Sequence, residues 1–172
     1  MSLHRSLPVE RYETETFAPA DSGLALRALP LGEPVRLGPI LSAIPPWSTL
    51  GYSAEQLSDY LGRIEKTAPR YGLLAGNEVV GVACVRFNWL TGPYLQYLAV
   101  LPDFQRRGLG SLFLKWLDAE ARASGERNVW VCASAFNTDA QAFYAKHGYE
   151  PVAELADLLK DGFGEILMRR KL

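Results

Sequence analysis

The chain is poor in the residue types that most often announce a chemistry. Among its 172 residues are two cysteines and two histidines. Cys84 and Cys132 each lie inside an apolar, strand-like run and are expected to be small buried hydrophobes. With two scattered histidines they make neither a disulfide framework nor a zinc pattern, so no metal is expected. An excess of one charge is missing too. Lys and Arg total 18 against 19 Asp and Glu, a net charge of −1. Sequence-independent nucleic-acid binding rests on many Lys and Arg contacts to phosphate, and a near-neutral chain suits it poorly. No apolar run is long enough to span a bilayer, and the N-terminus shows no basic-then-apolar signal pattern. No membrane partner and a cytoplasmic location are therefore expected. Repeats, low-complexity tracts and internal linkers are absent as well. What is present, 48% apolar and 22% charged residues, suits an ordinary globular domain.

Residues 1–21 show no sustained periodicity and read as an N-terminal arm, available to a homodimer interface. Residues 22–172 read as one α/β domain. Within it, 24–29 alternates as a first strand, ended by Pro30 and Gly32. Val35, Leu37, Ile40, Leu41 and Ile44 follow helical spacing behind Pro34. Residues 45–52 read as a loop holding Trp47 and Tyr52. Ser53 caps the next helix, whose stripe is Leu57, Tyr60, Leu61 and Ile64. Strands then dominate: 71–75, a tight turn at Gly76-Asn77, 79–87, a turn at 91–93, and 94–100. A helix over 109–123, a strand over 128–133 and a short helix follow. In the short helix Thr138 and Gln141 have capping-box spacing, and Gly148 supplies its exit. Two strands, 149–155 and 165–169, close the chain.

The junction between 94–100 and the following helix is the most informative stretch. It reads Gln105-Arg106-Arg107-Gly108-Leu109-Gly110. The first amides of a helix have no internal partners, and glycines let a bulky anion approach the backbone. Arg106 and Arg107 add forked donors for phosphate oxygens. A Walker A loop would need Gly-Lys-Ser/Thr, but Ser111-Leu112 follows Gly110. A dinucleotide fingerprint would need a glycine where Phe113 stands. The stripe Leu109, Leu112, Phe113, Trp116, Leu117 and Ala121 is core spacing, which anchors the loop.

Together with the preceding Leu98-Ala99-Val100-Leu101-Pro102-Asp103-Phe104, this loop resembles the acyl-CoA signature of the GNAT superfamily of N-acetyltransferases. Asn137, then Ala142-Phe143-Tyr144, then His147-Gly148-Tyr149 resemble the same family's second half. The resemblance runs from about residue 79 to the C-terminus. It implies an α/β (α+β) fold with a mixed, mostly antiparallel central sheet and helices on both faces. It also implies acetyl-CoA as co-substrate. Amides of Arg106, Arg107, Gly108, Leu109, Gly110 and Ser111, beside Gln105, would hold the pyrophosphate. Leu98, Ala99 and Val100 would pair with the pantetheine arm along a bulged strand that splays from its parallel neighbour, and an amide near Val100 would face the thioester oxygen. Asn137 and Tyr144 match cofactor-contacting positions, and the Tyr144 phenol would protonate the departing thiolate.

A general base is harder to find. Deprotonating a lysine-like amine at pH 7 costs about 4–5 kcal/mol, and an α-amine about 1–1.5 kcal/mol. Inward positions on the strand before the signature are Tyr94 and Gln96, neither a strong base. Cys132 stands where some relatives carry glutamate. The alternatives are a water chain through Tyr94 and Gln96, a carboxylate from elsewhere, or a low-pKa amine, and the water chain is the expected route. Trp47 and Tyr52 fall where the family builds its acceptor wall, although packing of a Pro-rich corner explains them equally well. Glu154, Asp157 and Glu165 could attract a cationic amine, but solvated surface carboxylates are the better reading. His147, near a helix end, is placed to carry positive charge. The expected activity is acetyl transfer to a small-molecule or peptide amine by direct attack in a ternary complex. The alternative is a non-catalytic acyl-CoA-binding module, and a longer acyl donor is also open.

Overall fold

The computed structural model describes residues 12–172; the first part of the expected arm lies outside the described residues. The strands are β1 (Leu24–Ala28), β2 (Arg70–Ala75), β3 (Glu78–Trp89), β4 (Gly92–Val100), β5 (Asn128–Ser134), β6 (Glu150–Ala156) and β7 (Gly164–Lys171). They form one seven-stranded sheet in the order β1-β2-β3-β4-β5-β7-β6. Among the described strands only β4 and β5 run parallel, joined by a crossover that contains a helix; every other pair is antiparallel.

Helices α1 (Glu33–Ser42), α2 (Trp47–Leu50) and α3 (Ala54–Gly62) connect β1 to β2. Helix α4 (Leu109–Ala123) connects β4 to β5, and α5 (Thr138–Lys146) connects β5 to β6. Alternation along the strands divides the core in two. On one face Val80, Val85, Leu95, Val129, Val131 and Ala133 pack with Phe113, Leu114, Trp116 and Leu117 of α4. On the other face Val79, Val82, Cys84, Tyr97 and Ala99 pack with Leu37 and Leu41 of α1 and Leu57 and Leu61 of α3. The ends of α4 match the periodicity of its apolar stripe, 109–123. Continuous apolar β3, buried over most of its length, lies where both faces are covered.

Three local expectations change. Residues 45–52 contain a short helix, α2, closed at Gly51 with φ +76°. The Ser53 cap is present as a full capping box, with Ser53 Oγ accepting from Gln56 N at 3.1 Å and Gln56 Oε1 accepting from Ser53 N at 2.9 Å. But α3 stops at Gly62, so Ile64 falls beyond it and is 87% exposed. In α5 the cap is Asn137, whose Oδ1 accepts from Ala140 N at 3.1 Å. Gln141 instead donates to the carbonyls of Ser134 and Ala135.

Within the described part of the arm, Tyr12 and Phe17 are buried in the α4-side core. The Trp116 indole donates to the Glu13 carbonyl at 3.0 Å, and Glu120 accepts from Glu13 N and Thr16 Oγ1. Residues 12–17 therefore lie against α4.

Candidate functional site

The parallel pair opens almost as soon as it forms. Strands β4 and β5 register only at Tyr94↔Trp130 and Leu95↔Val131. Beyond these pairs they part. On its other edge β4 is bulged: Cys84 pairs with Tyr97 and Val85 with Leu95, so Gln96 is the extra residue. Leu101 N donates to Val80 O at 2.9 Å. By alternation, the main-chain groups of Leu98 and Val100 point away from β3, toward the opening. Gln105 Nε2 caps one of them, donating to Val100 O at 3.0 Å.

The glycine loop follows β4 in the chain, beyond the pairs at which β4 and β5 register. Arg106 has φ +59°, and Gly108, the residue before α4, has φ +84°. These left-handed turns lead into α4, whose first amides, of Leu109, Gly110 and Ser111, have no intrahelical acceptors. A Cβ on Gly110 would stand 3.1 Å from Phe143 Cζ. The missing side chain thus lets α4 start tight against α5. Arg106 and Arg107 are exposed, and the Arg107 guanidinium lies over the Phe104 ring, 5.2 Å from its centroid. Ser111 Oγ is 2.9 Å from His147 Nε2.

Between the splayed strands lies a cleft of about 580 Å³. From the sheet it is lined by Tyr94, Gln96, Leu98, Cys132, Ser134 and Glu165, and from α5 by Asn137 and Tyr144. Its opposite wall is Trp47, Tyr52, Asp59, Tyr60 and Arg63, with Leu158 and Leu159 from the β6–β7 turn. Trp47 stacks on Tyr97 at 4.6 Å between centroids, and Tyr60 tilts against the same ring at 5.4 Å. Lys160 Nζ donates to Leu50 O at 2.9 Å and ties the β6–β7 turn to α2.

The structure thus brings together every residue read as catalytic from the sequence. Tyr144 is 8% exposed, packed edge-on against Phe143 and Tyr149. Burial, with Cys132 second, pushes its phenol well above the ordinary range, so it stays protonated. Tyr94 is held protonated in the same way, by burial and then by Cys132. Gln96 Oε1 accepts from Arg86 Nε at 3.1 Å, and Arg86 pairs with Glu65 at 3.1 Å. Glu65 also pairs with Arg70 at 2.8 Å; the hydrogen bonds from these arginines lower its pKa.

Two other expectations are corrected. Cys132 is half-buried and lines the cleft instead of filling the core; burial raises its pKa and leaves it a thiol, not a nucleophilic thiolate. His147 is pushed toward the neutral form, first by burial and then by Lys146, Arg170 and Lys115.

Glu165 is not the solvated surface carboxylate that its sequence context suggests. It is 3% exposed, lines the cleft, and accepts from Ser134 Oγ at 2.6 Å. Desolvation raises its pKa and the Ser134 hydrogen bond opposes the rise. The sequence signal available was a lone acid opening the apolar run Ile166-Leu167-Met168.

Comparison with known proteins agrees with this geometry. The family described as the acetyltransferase (GNAT) family matches residues 37–149. A ribosomal protein bS18-alanine N-acetyltransferase of Salmonella typhimurium is 33% identical over 104 residues, which is 60% of this chain and 64% of that protein. An aminoalkylphosphonate N-acetyltransferase from the same organism is 31% identical over 84 residues, 45% of this chain and 53% of that one. The chain therefore spans between half and two thirds of these relatives. In fold, the crystal structure of the ribosomal-protein-S18-alanine N-acetyltransferase of Escherichia coli superposes with a TM-score of 0.68 at 19% identity, covering 86% of this chain and 93% of that one. A GNAT family acetyltransferase from Elizabethkingia anophelis with acetyl-CoA bound gives 0.67 at 19% identity, covering 88% and 99%.

Proposed function

Since the chain belongs to the acetyltransferase (GNAT) family, we propose that it transfers an acetyl group from acetyl-CoA to the primary amine of a small molecule or peptide. The observation that carries this reading is the continuity of the opening. The cleft, lined by Leu98 and the protonated Tyr144, borders the unpaired edge of β4, and that strand leads on to the glycine loop, whose Gln105 bonds back to Val100 O. Each part suits a part of the donor. Free amides at the start of α4, beside Arg106 and Arg107, suit a pyrophosphate. The main-chain groups of Leu98 and the Val100 amide, which face away from β3, suit the amide-rich pantetheine arm, in the way an added strand pairs with an open edge. Asn137 spends its Oδ1 on the α5 cap and keeps its NH₂ to donate. Tyr144, buried and protonated, suits delivery of a proton to the leaving sulfur.

The acceptor enters from the other side of the sheet, between Trp47, Tyr97 and the β6–β7 turn. The amine nitrogen attacks the thioester carbon directly; the only cysteine in the cleft, Cys132, is held as a thiol and is unsuited to carry the acyl group. No helix among the described residues is long and apolar enough to cross a membrane, and we read the protein as cytoplasmic.

The test is release of free coenzyme A thiol with acetyl-CoA and a panel of amines. The panel holds an alanine-terminated peptide, an aminoalkylphosphonate and a polyamine. Thiol release in step with acetyl-amide formation on at least one acceptor is expected. Tight acetyl-CoA binding with no release on any of them would mark a non-catalytic acyl-CoA-binding module instead.

A further inference from the structure

The cleft holds two carboxylates, and they differ sharply. Asp59 is exposed at the mouth, whereas Glu165 is 3% exposed on the floor. Strand pairing fixes which way Glu165 faces. It registers with Ser134, and Val129, Val131 and Ala133 of the same strand point into the α4 side. Alternation therefore turns Cys132, Ser134 and Glu165 to the opposite face, the side of α1 and α3, with the aromatic wall. Ser134 engages one oxygen, Oε1, at 2.6 Å. Among the described residues neither Oε2 nor the carboxylate as a whole meets a Lys, Arg or His. The titratable groups facing it are Tyr94 from β4 and Cys132 from β5, and neither carries positive charge.

A buried carboxylate without a cation is costly to retain. Its place on the acceptor side of a reactive cleft supplies a reason: the cation arrives with the substrate. We propose that Glu165 receives the acceptor's ammonium and takes its proton, as the general base of the transfer. This rests on the acetyltransferase reading above. Its competitors on the floor are less suited. Tyr94 is a phenol held protonated, and Gln96 already accepts from Arg86.

The proton count closes. One ammonium proton passes to Glu165 Oε2, and the freed nitrogen lone pair forms the C–N bond to the thioester carbon. The C–S bond then breaks, and sulfur takes the Tyr144 proton. The second nitrogen proton leaves the collapsing adduct and restores the phenol. The proton on Glu165 goes to solvent, so the products are the acetamide, coenzyme A thiol and one proton.

Glu165→Gln keeps the Ser134 hydrogen bond and the volume while removing the base. With an acceptor of high pKa, kcat/KM should fall about 100-fold or more. Acetyl-CoA affinity should hold. The loss should shrink for an acceptor of low pKa, and Glu165→Asp should recover part of the rate with a displaced acid limb of the pH profile. Full turnover in Glu165→Gln with an unmoved acid limb, while the wild type acetylates amines, overturns this inference and leaves the proposed function standing. A wild type that transfers to no amine overturns both. If Glu165→Gln does not fold, Glu165→Asp decides: a displaced limb supports the assignment, and a wild-type profile at full rate overturns it.

Discussion

Replacing Tyr144 by phenylalanine separates chemistry from packing better than any other change in the cleft. The ring is wedged edge-on between Phe143 and Tyr149, with centroids at 5.3 and 5.6 Å, and phenylalanine keeps both contacts. No hydrogen bond from its hydroxyl to another described residue is made, so folding stability should change by less than about 1 kcal/mol. The effect on rate follows from the acidities involved. A thiol leaves with a pKa of about 8.5, whereas burial lifts the phenol above its usual 10. Proton delivery is then uphill by more than about 1.5 units, roughly 2 kcal/mol, and the thiolate is itself a moderate leaving group. The contribution should lie at or below the low end for general acids, about 10- to 100-fold in kcat, or about 1.4–2.7 kcal/mol. Steady-state kinetics at saturating acceptor and isothermal titration of acetyl-CoA would measure it. The expected result is a lower kcat, an acetyl-CoA affinity within about twofold, and a pH profile unchanged in shape, because a phenol protonated throughout adds no limb. An unchanged kcat, or a loss wholly in acetyl-CoA affinity, refutes the acid role.

Other changes test other parts of the site. Gly108→Ala places a side chain at φ +84° with no atom within 4 Å to clash with it. Backbone strain alone should cost about 1–2 kcal/mol, lowering Tm by roughly 2–8 °C, and acetyl-CoA should bind more weakly while the acceptor KM holds. Trp47→Ala removes the ring stacked on Tyr97 and should raise the acceptor KM several-fold with acetyl-CoA affinity intact, as kinetics in each substrate would show. The raised pKa of Glu165 has a consequence for stability as well. Its protonated form is favoured by folding, so its stabilising contribution is complete below the unfolded carboxyl pKa and disappears as pH rises through the folded value. Glu165→Gln should therefore be more thermostable than the wild type at neutral pH, with the difference closing in acid, by thermal unfolding from pH 4 to 8.

Much of the fold was legible in local pattern. The stripe of α4 gave both of its ends because 3.6-residue periodicity and the flanking glycines agreed. The tight turn at Gly76-Asn77 between two largely apolar runs identified β2 and β3. At the start of α5 and the end of α3, two local signals compete. Thr138 and Asn137 are both good caps, and only the turn after Ser134, where Asn137 N donates to Ser134 O at 2.8 Å, selects the earlier one. Ile64 continued the α3 stripe by spacing, yet the backbone turns at Arg63, with ψ 133°. Glu165 was illegible for another reason. Its environment depends on pairing with Ser134, 31 residues away, and on the separation of β4 from β5. Neither is written in the residues around it.

On the proposed function, that non-local arrangement lets one cleft serve two substrates. Because side chains alternate across a strand, the parting of β4 and β5 opens a passage between two chemically different halves. On the α4 and α5 side stand helix amides, Asn137 and Tyr144, all suited to a phosphorylated thioester. On the α1 and α3 side stand Trp47, Tyr97, Tyr94 and a buried carboxylate, suited to a cation carried on an apolar body. Only between the splayed strands do the two halves meet, so an acid and a base can work on opposite faces of one carbonyl without neutralising each other. Gln96, the bulge residue, lies at that junction, and Arg86 and Glu65 brace it from the acceptor side. A change to this brace should therefore disturb the meeting of the substrates more than the binding of either one. Arg86→Ala should lower kcat more than it raises either KM, whereas equal losses in all three would mean that the brace only supports the fold.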